Sequence, residues 1–144
     1  HGWRHDLWFG GRVHLGIEFM SREIKFRMWN EITKTMIDLR KITPLALNMN
    51  TDGLFIPSCG MPLMQFTGRC DKNNIPIYEG DILTCSPIKS KKKEYKPIFQ
   101  VVYEEYDTAF SAFDIKAKCW VKLNALKFKV IGNVYENPEL LGVA

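Results

Sequence analysis

The segment from residue 63 to residue 83 constrains the fold of this chain more than any other part of it. It opens with the apolar run Leu63-Met64-Gln65-Phe66, followed by Thr67-Gly68 and the polar cluster Asp71-Lys72-Asn73-Asn74. A second reversal, Glu79-Gly80-Asp81, precedes another apolar run at residues 82–85. Because glycine, asparagine and aspartate at such positions favour turns, we predict short strands joined by tight turns and no catalytic constellation.

Strand signals recur along most of the chain. Residues 23–29 alternate apolar and polar side chains, which is typical of a half-buried strand. A turn over residues 30–34 and a partner strand over residues 35–39 complete a hairpin. Further strands are predicted at residues 54–56, 63–66, 82–85, 98–104, 108–115 and 128–134, whereas residues 118–126 are ambiguous. Asn137-Pro138-Glu139 resembles a helix start with room for a single turn. This pattern favours a mainly β fold, either a small barrel or a sandwich, with little helix.

The first nineteen residues differ in composition from the rest. They are rich in Gly, Trp and His, and a natural start appears at Met20. The pair Glu18-Phe19 is what a common cloning site encodes. We therefore expect residues 1–19 to be a vector-derived or otherwise non-native leader and residues 20–144 to form a single domain. All histidines of the chain lie in this leader: His1, His5 and His14.

The positive charge is concentrated in one segment. The formal net charge is +4, and residues 89–96 alone carry five lysines and one glutamate. Pro87 and Pro97 bound the segment, which predicts a solvated loop between strands. Lysines attract phosphates and a tyrosine can stack on a base, so the candidate nucleic-acid-binding residues are Lys89, Lys91, Lys92, Lys93, Tyr95 and Lys96. The alternative is that these lysines mainly confer solubility.

The cysteines indicate neither a metal centre nor a redox centre. Cys59, Cys70, Cys85 and Cys119 form no C-x-x-C pair, and we expect small buried thiols in a reducing cytosol. No segment reads as a membrane helix, and the leader has no signal-peptide hydrophobic region. We therefore expect a cytoplasmic protein with no metal, no cofactor and no membrane partner, and we identify no small-molecule substrate.

Two groups of carboxylates could act as acid and base or bind a hard cation. Glu79 and Asp81 lie two residues apart, and Glu104, Glu105 and Asp107 form a cluster. The first pair has the composition of a turn in which Asp accepts backbone N–H bonds and Gly takes an unusual φ. The second is typical of a solvated corner. Since a domain without histidine also lacks the commonest general base, we expect that the protein is not an enzyme.

The aromatic side chains are predicted mostly to fill the core. The candidates are Phe26, Trp29, Phe66, Phe99, Tyr103, Phe110, Phe113, Trp120 and Phe128. Alternation of apolar and polar residues places Phe26 on the apolar face. It does not decide whether Trp29 and Trp120 are buried or exposed. An exposed tryptophan would be an anchor for a protein interface.

Three motifs, spread from Met20 to about Leu141, point to one protein family. They are the opening Arg22-Glu23-Ile24-Lys25-Phe26-Arg27, the central segment 63–82, and the closing segment 130–141. Together they resemble the YopX family of phage and prophage proteins. The resemblance implies an SH3-like barrel core with extra hairpins, self-association into a homo-oligomer, and a location in the bacterial host cell.

The family has no established activity, so the resemblance implies no catalytic residue. Its signature residues are expected to be structural: Gly68, Tyr78, Glu79, Gly80, Asp81, Gly132, Asn133, Tyr135, Glu136, Asn137 and Pro138. The leader and the lysine-rich loop depart from the family pattern. The leading hypothesis is an accessory protein of a phage or prophage that acts by binding and self-association. The alternative is a nucleic-acid-binding module that uses the lysine-rich loop.

Overall fold

The computed structural model describes residues 23–39 and 61–142 in full, together with the backbones of four short strands outside those ranges. In chain order the strands are β1 (Asp6–Phe9), β2 (Arg12–Leu15), β3 (Phe26–Asn30), β4 (Thr35–Asp38), β5 (Leu47–Met49), β6 (Phe55–Pro57), β7 (Leu63–Cys70), β8 (Pro76–Tyr78), β9 (Asp81–Thr84), β10 (Ile88–Lys89), β11 (Glu94–Tyr95), β12 (Ile98–Glu104), β13 (Ala109–Asp114), β14 (Cys119–Lys122) and β15 (Lys129–Asn133). A 3-10 helix follows at Pro138–Leu141. Cys59 and the turn predicted at residues 52–53 lie outside the described residues.

Two antiparallel sheets build the described part of the domain. The larger has the strand order β14–β13–β12–β9–β15 and curls into a half-barrel. The smaller has the order β4–β3–β7–β8. Three separate hairpins pair β1 with β2, β5 with β6, and β10 with β11. The prediction of a mainly β, small-barrel fold with little helix is thereby confirmed.

The core lies on the inner side of the larger sheet. Alternation along β12 turns Phe99 and Val101 inward, and both are buried. Phe99 meets Phe128 edge-on, with 5.1 Å between the ring centroids. The full cluster is Ile77, Leu83, Phe99, Val101, Ala112, Leu123 and Phe128. Burying one such side chain contributes about 1.5–3 kcal/mol, and because Ile77 belongs to the smaller sheet, the cluster stabilises both sheets together.

The turn between β8 and β9 ties the two sheets through the backbone of Gly80. Its N–H donates to Val101 O, and its carbonyl accepts from Val134 N, each at 2.9 Å. Gly80 has a φ of +82°, a conformation that glycine adopts at little steric cost. The prediction of a turn with an unusual glycine φ at residues 79–81 is confirmed.

Several predicted strands have different bounds in the structure. β7 does not end at Thr67-Gly68 but continues to Cys70, because Gly68, with a φ of +88°, lets the strand bulge and go on. The lysine-rich segment, predicted as a loop, contains β10 and β11. The ambiguous residues 118–126 include β14. The helical turn at the end is a 3-10 turn, and the side chain of Asn137 does not cap it.

Side-chain burial corrects two further predictions. Cys70 and Cys119 are exposed and Cys85 is only half-buried, so the expectation of buried thiols is wrong for these three free cysteines. Cys70 lies beyond the bulge of β7 and Cys119 on an edge strand, where no layer covers them. Tyr103 was expected in the core and is 44% exposed, whereas Trp29 is buried.

Gly132 in β15 occupies a position with no room for a side chain. A Cβ added there would lie 2.4 Å from Asn137 Oδ1. That oxygen also accepts a hydrogen bond from Asn133 N at 3.3 Å, which holds the amide beside the strand. The close approach explains why glycine is needed at this point.

We expect Gly132→Ala to lower the free energy of unfolding by about 1–3 kcal/mol, because the new methyl group displaces the Asn137 side chain. Asn137→Ala removes the atom that the methyl group meets, so Gly132→Ala should cost less in that background. Urea unfolding of the wild type, the two single variants and the double variant measures both costs. Equal costs in the two backgrounds would contradict the steric explanation.

Candidate binding surfaces

The lysine-rich segment folds as a short hairpin with an ordered tip. β10 and β11 pair in the register Ile88↔Tyr95. At the tip, Ser90 Oγ donates to Lys93 O at 2.8 Å and accepts from Lys93 N at 3.2 Å. The five lysine side chains of the hairpin are all exposed. The hairpin therefore presents its charges from a defined backbone.

Tyr95 fastens the hairpin to the larger sheet. Its hydroxyl donates to Asp114 Oδ2 at 2.9 Å, and Asp114 is buried. This hydrogen bond, assisted by burial, raises the pKa of Tyr95 above its ordinary value of 10.0. Asp114 Oδ1 accepts from Lys116 N and Ala117 N. One carboxylate thus joins the hairpin to the turn between β13 and β14.

The fastened hairpin lies beside lysines that sequence reasoning did not connect with it. Lys116 Nζ donates to Lys96 O at 3.0 Å, and Lys118 occupies the same turn as Lys116. We call the combined set the basic surface: Lys89, Lys91, Lys92, Lys93, Lys96, Lys116 and Lys118. Glu94 and the buried Asp114 are the only carboxylates in these two segments. Lys116 and Lys118 come about twenty positions after the hairpin in the chain, and the pairing of β12 with β13 brings them next to it.

The signature residues around Asp81 form a buried ion pair. Arg27 Nη2 lies 2.5 Å from Asp81 Oδ1, and Tyr78 N donates to Asp81 Oδ2 at 2.8 Å. The guanidinium also lies over the Tyr78 ring, 4.5 Å from its centroid. Burial raises the pKa of Asp81 even though the Arg27 charge and the Tyr78 N–H act to lower it. Both oxygens of the Asp81 carboxylate are thus bonded within the fold. This supports a structural role for Asp81 over a role as an acid, a base or a cation ligand.

The closing signature also stabilises the backbone. Asn133 Oδ1 accepts from Tyr135 N at 3.1 Å and from Glu136 N at 2.9 Å. Tyr135 stacks on Trp29 of the smaller sheet, with 5.8 Å between centroids and 18° between ring planes. Pro138 begins the 3-10 helix. The signature residues therefore hold the end of the chain against both sheets.

A half-buried and an exposed aromatic side chain pair on the outer side of the larger sheet. Phe113 and Trp120 are cross-strand neighbours on β13 and β14, with 4.9 Å between ring centroids. Ala112 and Val121 alternate with them toward the core. Trp120 is 49% exposed, and β14 ends the described order of strands. We call this pair with its surroundings the aromatic face.

Residues of both sheets line an open cleft of about 990 Å³. One wall is β7, and the opposite wall comes from β12, β13 and β14. The ionisable side chains in the lining are of both signs: Arg69, Lys122, Glu79 and Asp107. Sequence reasoning missed this site, because its walls come from strands far apart in the chain.

Within the described ranges, no group of three or more His, Cys, Asp or Glu side chains is placed to hold a metal ion. No helix in that part of the chain is long and apolar enough to cross a membrane. The expectations that the protein is not an enzyme and takes no cofactor stay predictions.

Comparison with known proteins gives a family and a fold. A model of the YopX protein family matches residues 25–142. The crystal structure of protein EF1440 from Enterococcus faecalis is similar, with a TM-score of 0.52 and 24% sequence identity. The match covers 84% of this chain and 99% of that one. At this identity the likeness shows the fold alone. No protein with a curated description matches the chain.

We expect Tyr95→Phe to release the hairpin from the sheet, because the variant keeps the ring and loses the bond to Asp114. Since the folded state favours the protonated hydroxyl, this contribution to stability is present below pH 10.0 and is lost as the pH rises through the raised pKa of Tyr95. Spectrophotometric titration of the variant should show one fewer tyrosine ionising above 10.0. Amide exchange at Lys93 should also be faster than in the wild type. Tyr106→Phe, at a side chain that is 94% exposed, is the matched control, and identical behaviour of the two variants would contradict the role of Tyr95.

Proposed function

The chain belongs to the YopX family, and on this premise we propose that it is an accessory protein of a phage or an integrated prophage. In this proposal it acts by binding and by associating with further copies of itself. The phage origin rests on the family resemblance. The observation that supports self-association is the exposed Trp120 of the aromatic face.

The aromatic face has the properties of a contact surface. Tryptophan is enriched among the residues that dominate binding energy at protein interfaces. Trp120 is backed by Phe113 at 4.9 Å, so its ring is held in place before a partner arrives. An oriented aromatic side chain loses little conformational freedom on binding, which favours association.

The charges beside Trp120 favour contact between faces over contact between strand edges. Lys118 and Lys122 flank Trp120 along the chain, and both are exposed. Antiparallel pairing of two β14 strands centred on Trp120 would place Lys118 opposite Lys122 of the second copy. Like charges directly opposite each other destabilise a strand pair, and lysines on edge strands discourage such pairing. We therefore place the contact across a two-fold axis between two aromatic faces.

Sedimentation velocity tests this contact. We expect an oligomer at high micromolar concentration and a shift to monomer in Trp120→Ala, because loss of an anchor of this kind costs at least about 2 kcal/mol, or roughly 30-fold in the dissociation constant. Tyr106→Ala is the control, since Tyr106 is even more exposed but lies in a turn. A wild-type protein that stays monomeric would count decisively against self-association.

Nucleic-acid binding is the second candidate function, and the basic surface favours it. The hairpin and the neighbouring turn together present seven exposed lysines against the exposed Glu94 and the buried Asp114. Such a surface attracts phosphates through release of counterions. Tyr95 is a weaker candidate for base stacking than the sequence suggested, because it is half-buried in β11 and its hydroxyl is bound to Asp114.

Fluorescence anisotropy with labelled single- and double-stranded DNA at two salt concentrations tests the second candidate. Replacing Lys91, Lys92 and Lys93 together with Ala should weaken binding and reduce the steepness of log K against log salt by about 2 for a single strand, since each lost phosphate contact removes about 0.7. The control replaces Lys72, Lys127 and Lys129, which are exposed outside the basic surface. No binding at low salt, or equal effects of the two triple variants, would eliminate the basic surface.

A further inference from the structure

The core-facing side chains of β12 continue past the end of the core, and the cleft opens at that point. Phe99, Val101 and Tyr103 share the same side of this strand, and the first two are almost fully buried. Tyr103 is 44% exposed although it faces the same way. Its ring packs against Phe110 at 5.3 Å and 74° between planes. The smaller sheet therefore leaves an inward-facing aromatic pair uncovered, which marks a place for an apolar or aromatic group.

The bulge in β7 shapes the opposite wall. Pairing between β7 and β8 runs from Phe66↔Tyr78 to Cys70↔Pro76, so three residues of β7 face one of β8. Bulges of this kind change the direction in which side chains point. Gln65, Thr67 and Arg69 all line the cleft from this strand. The wall thus carries an amide and a guanidinium, whereas the hydroxyl of Thr67 between them donates to Ile77 O at 2.8 Å.

Three of the four charged side chains of the cleft take no part in an ion pair of the described fold. Within the part of the chain that the structure describes, the side chains of Arg69, Lys122 and Asp107 form no ion pair. The fourth, Glu79, accepts a long hydrogen bond of 3.4 Å from Gln65 N at its Oε1. Residues of both charge signs therefore line a volume in the range of ligand sites, about 300–1,000 Å³.

This balance of charge selects the class of ligand. A nucleic-acid strand would place phosphates near Glu79 and Asp107 as well as near the two cations. A peptide can offer acidic groups to Arg69 and Lys122, and backbone N–H groups or a basic side chain to the carboxylates. We infer that the cleft binds an extended peptide segment of another protein, with an aromatic or large apolar side chain against Tyr103 and an acidic side chain close to it. The inference deepens the proposed function, because it names the partner class of a protein that acts by binding.

Selection from a random linear peptide library displayed on phage, against the immobilised full chain, is the first test. We expect enriched peptides that combine an aromatic or large apolar residue with a neighbouring Asp or Glu. A fluorescein-labelled copy of the most enriched peptide then reports binding by anisotropy. Arg69→Ala combined with Lys122→Ala should weaken it by about three- to tenfold, since each exposed charge contact contributes modestly.

Matched variants separate the outcomes. Lys72→Ala combined with Lys127→Ala removes two exposed cations outside the cleft and should leave peptide affinity unchanged. Sedimentation velocity of the Arg69 and Lys122 variant, run beside the wild type, reports self-association separately, so that failure of self-association and failure of the cleft are distinguishable. The inference is overturned if no peptide is enriched, if enriched peptides lack the acidic residue, if the Arg69 and Lys122 variant binds normally, or if a thymidine oligonucleotide displaces the peptide.

Discussion

The guanidinium of Arg27 stabilises the buried carboxylate of Asp81, and this ion pair joins the two sheets. A charge that is 1% exposed is tolerated only when it is paired and hydrogen-bonded. Arg27 comes from β3 in the smaller sheet and Asp81 from β9 in the larger one. Next to this pair, Gly80 bonds to strand β12 and to residue 134. The alignment of the two sheets is therefore specified by polar contacts in one turn, whereas the apolar cluster stabilises the result without selecting a register.

The strands were predicted well from the sequence, because the alternation of a strand and the glycines of a turn can each be recognised within a few residues. β12 has the bounds that alternation indicates, and the hairpin of β3 and β4 forms where expected. The bulge after Phe66 was missed, since Thr67-Gly68 is equally compatible with a strand end. Tyr103 was misplaced because alternation tells which side of a sheet a residue faces and not whether another layer covers that side.

The sites were less predictable than the strands. The hairpin lysines could be read from a run of charge, but their connection to Lys116 requires the pairing of β12 with β13. The cleft combines residues from β7 to β14 and has no local signature. By contrast, the signature residues recognised in the sequence are engaged in the turn at Asp81 and in the closing segment. Most of the signature residues therefore maintain the fold, and Glu79 is the one that also lines a candidate binding site.

The bond from Tyr95 to Asp114 has a thermodynamic consequence for any polyanion that meets the lysines. A free loop of the same composition would sample many arrangements, and a partner would have to restrict them at an entropic penalty. Here the backbone beneath the ammonium groups is already confined by a buried acceptor. Ordering on binding would then be confined mainly to the lysine side chains, so that a polyanion would meet a hairpin whose backbone is already in place.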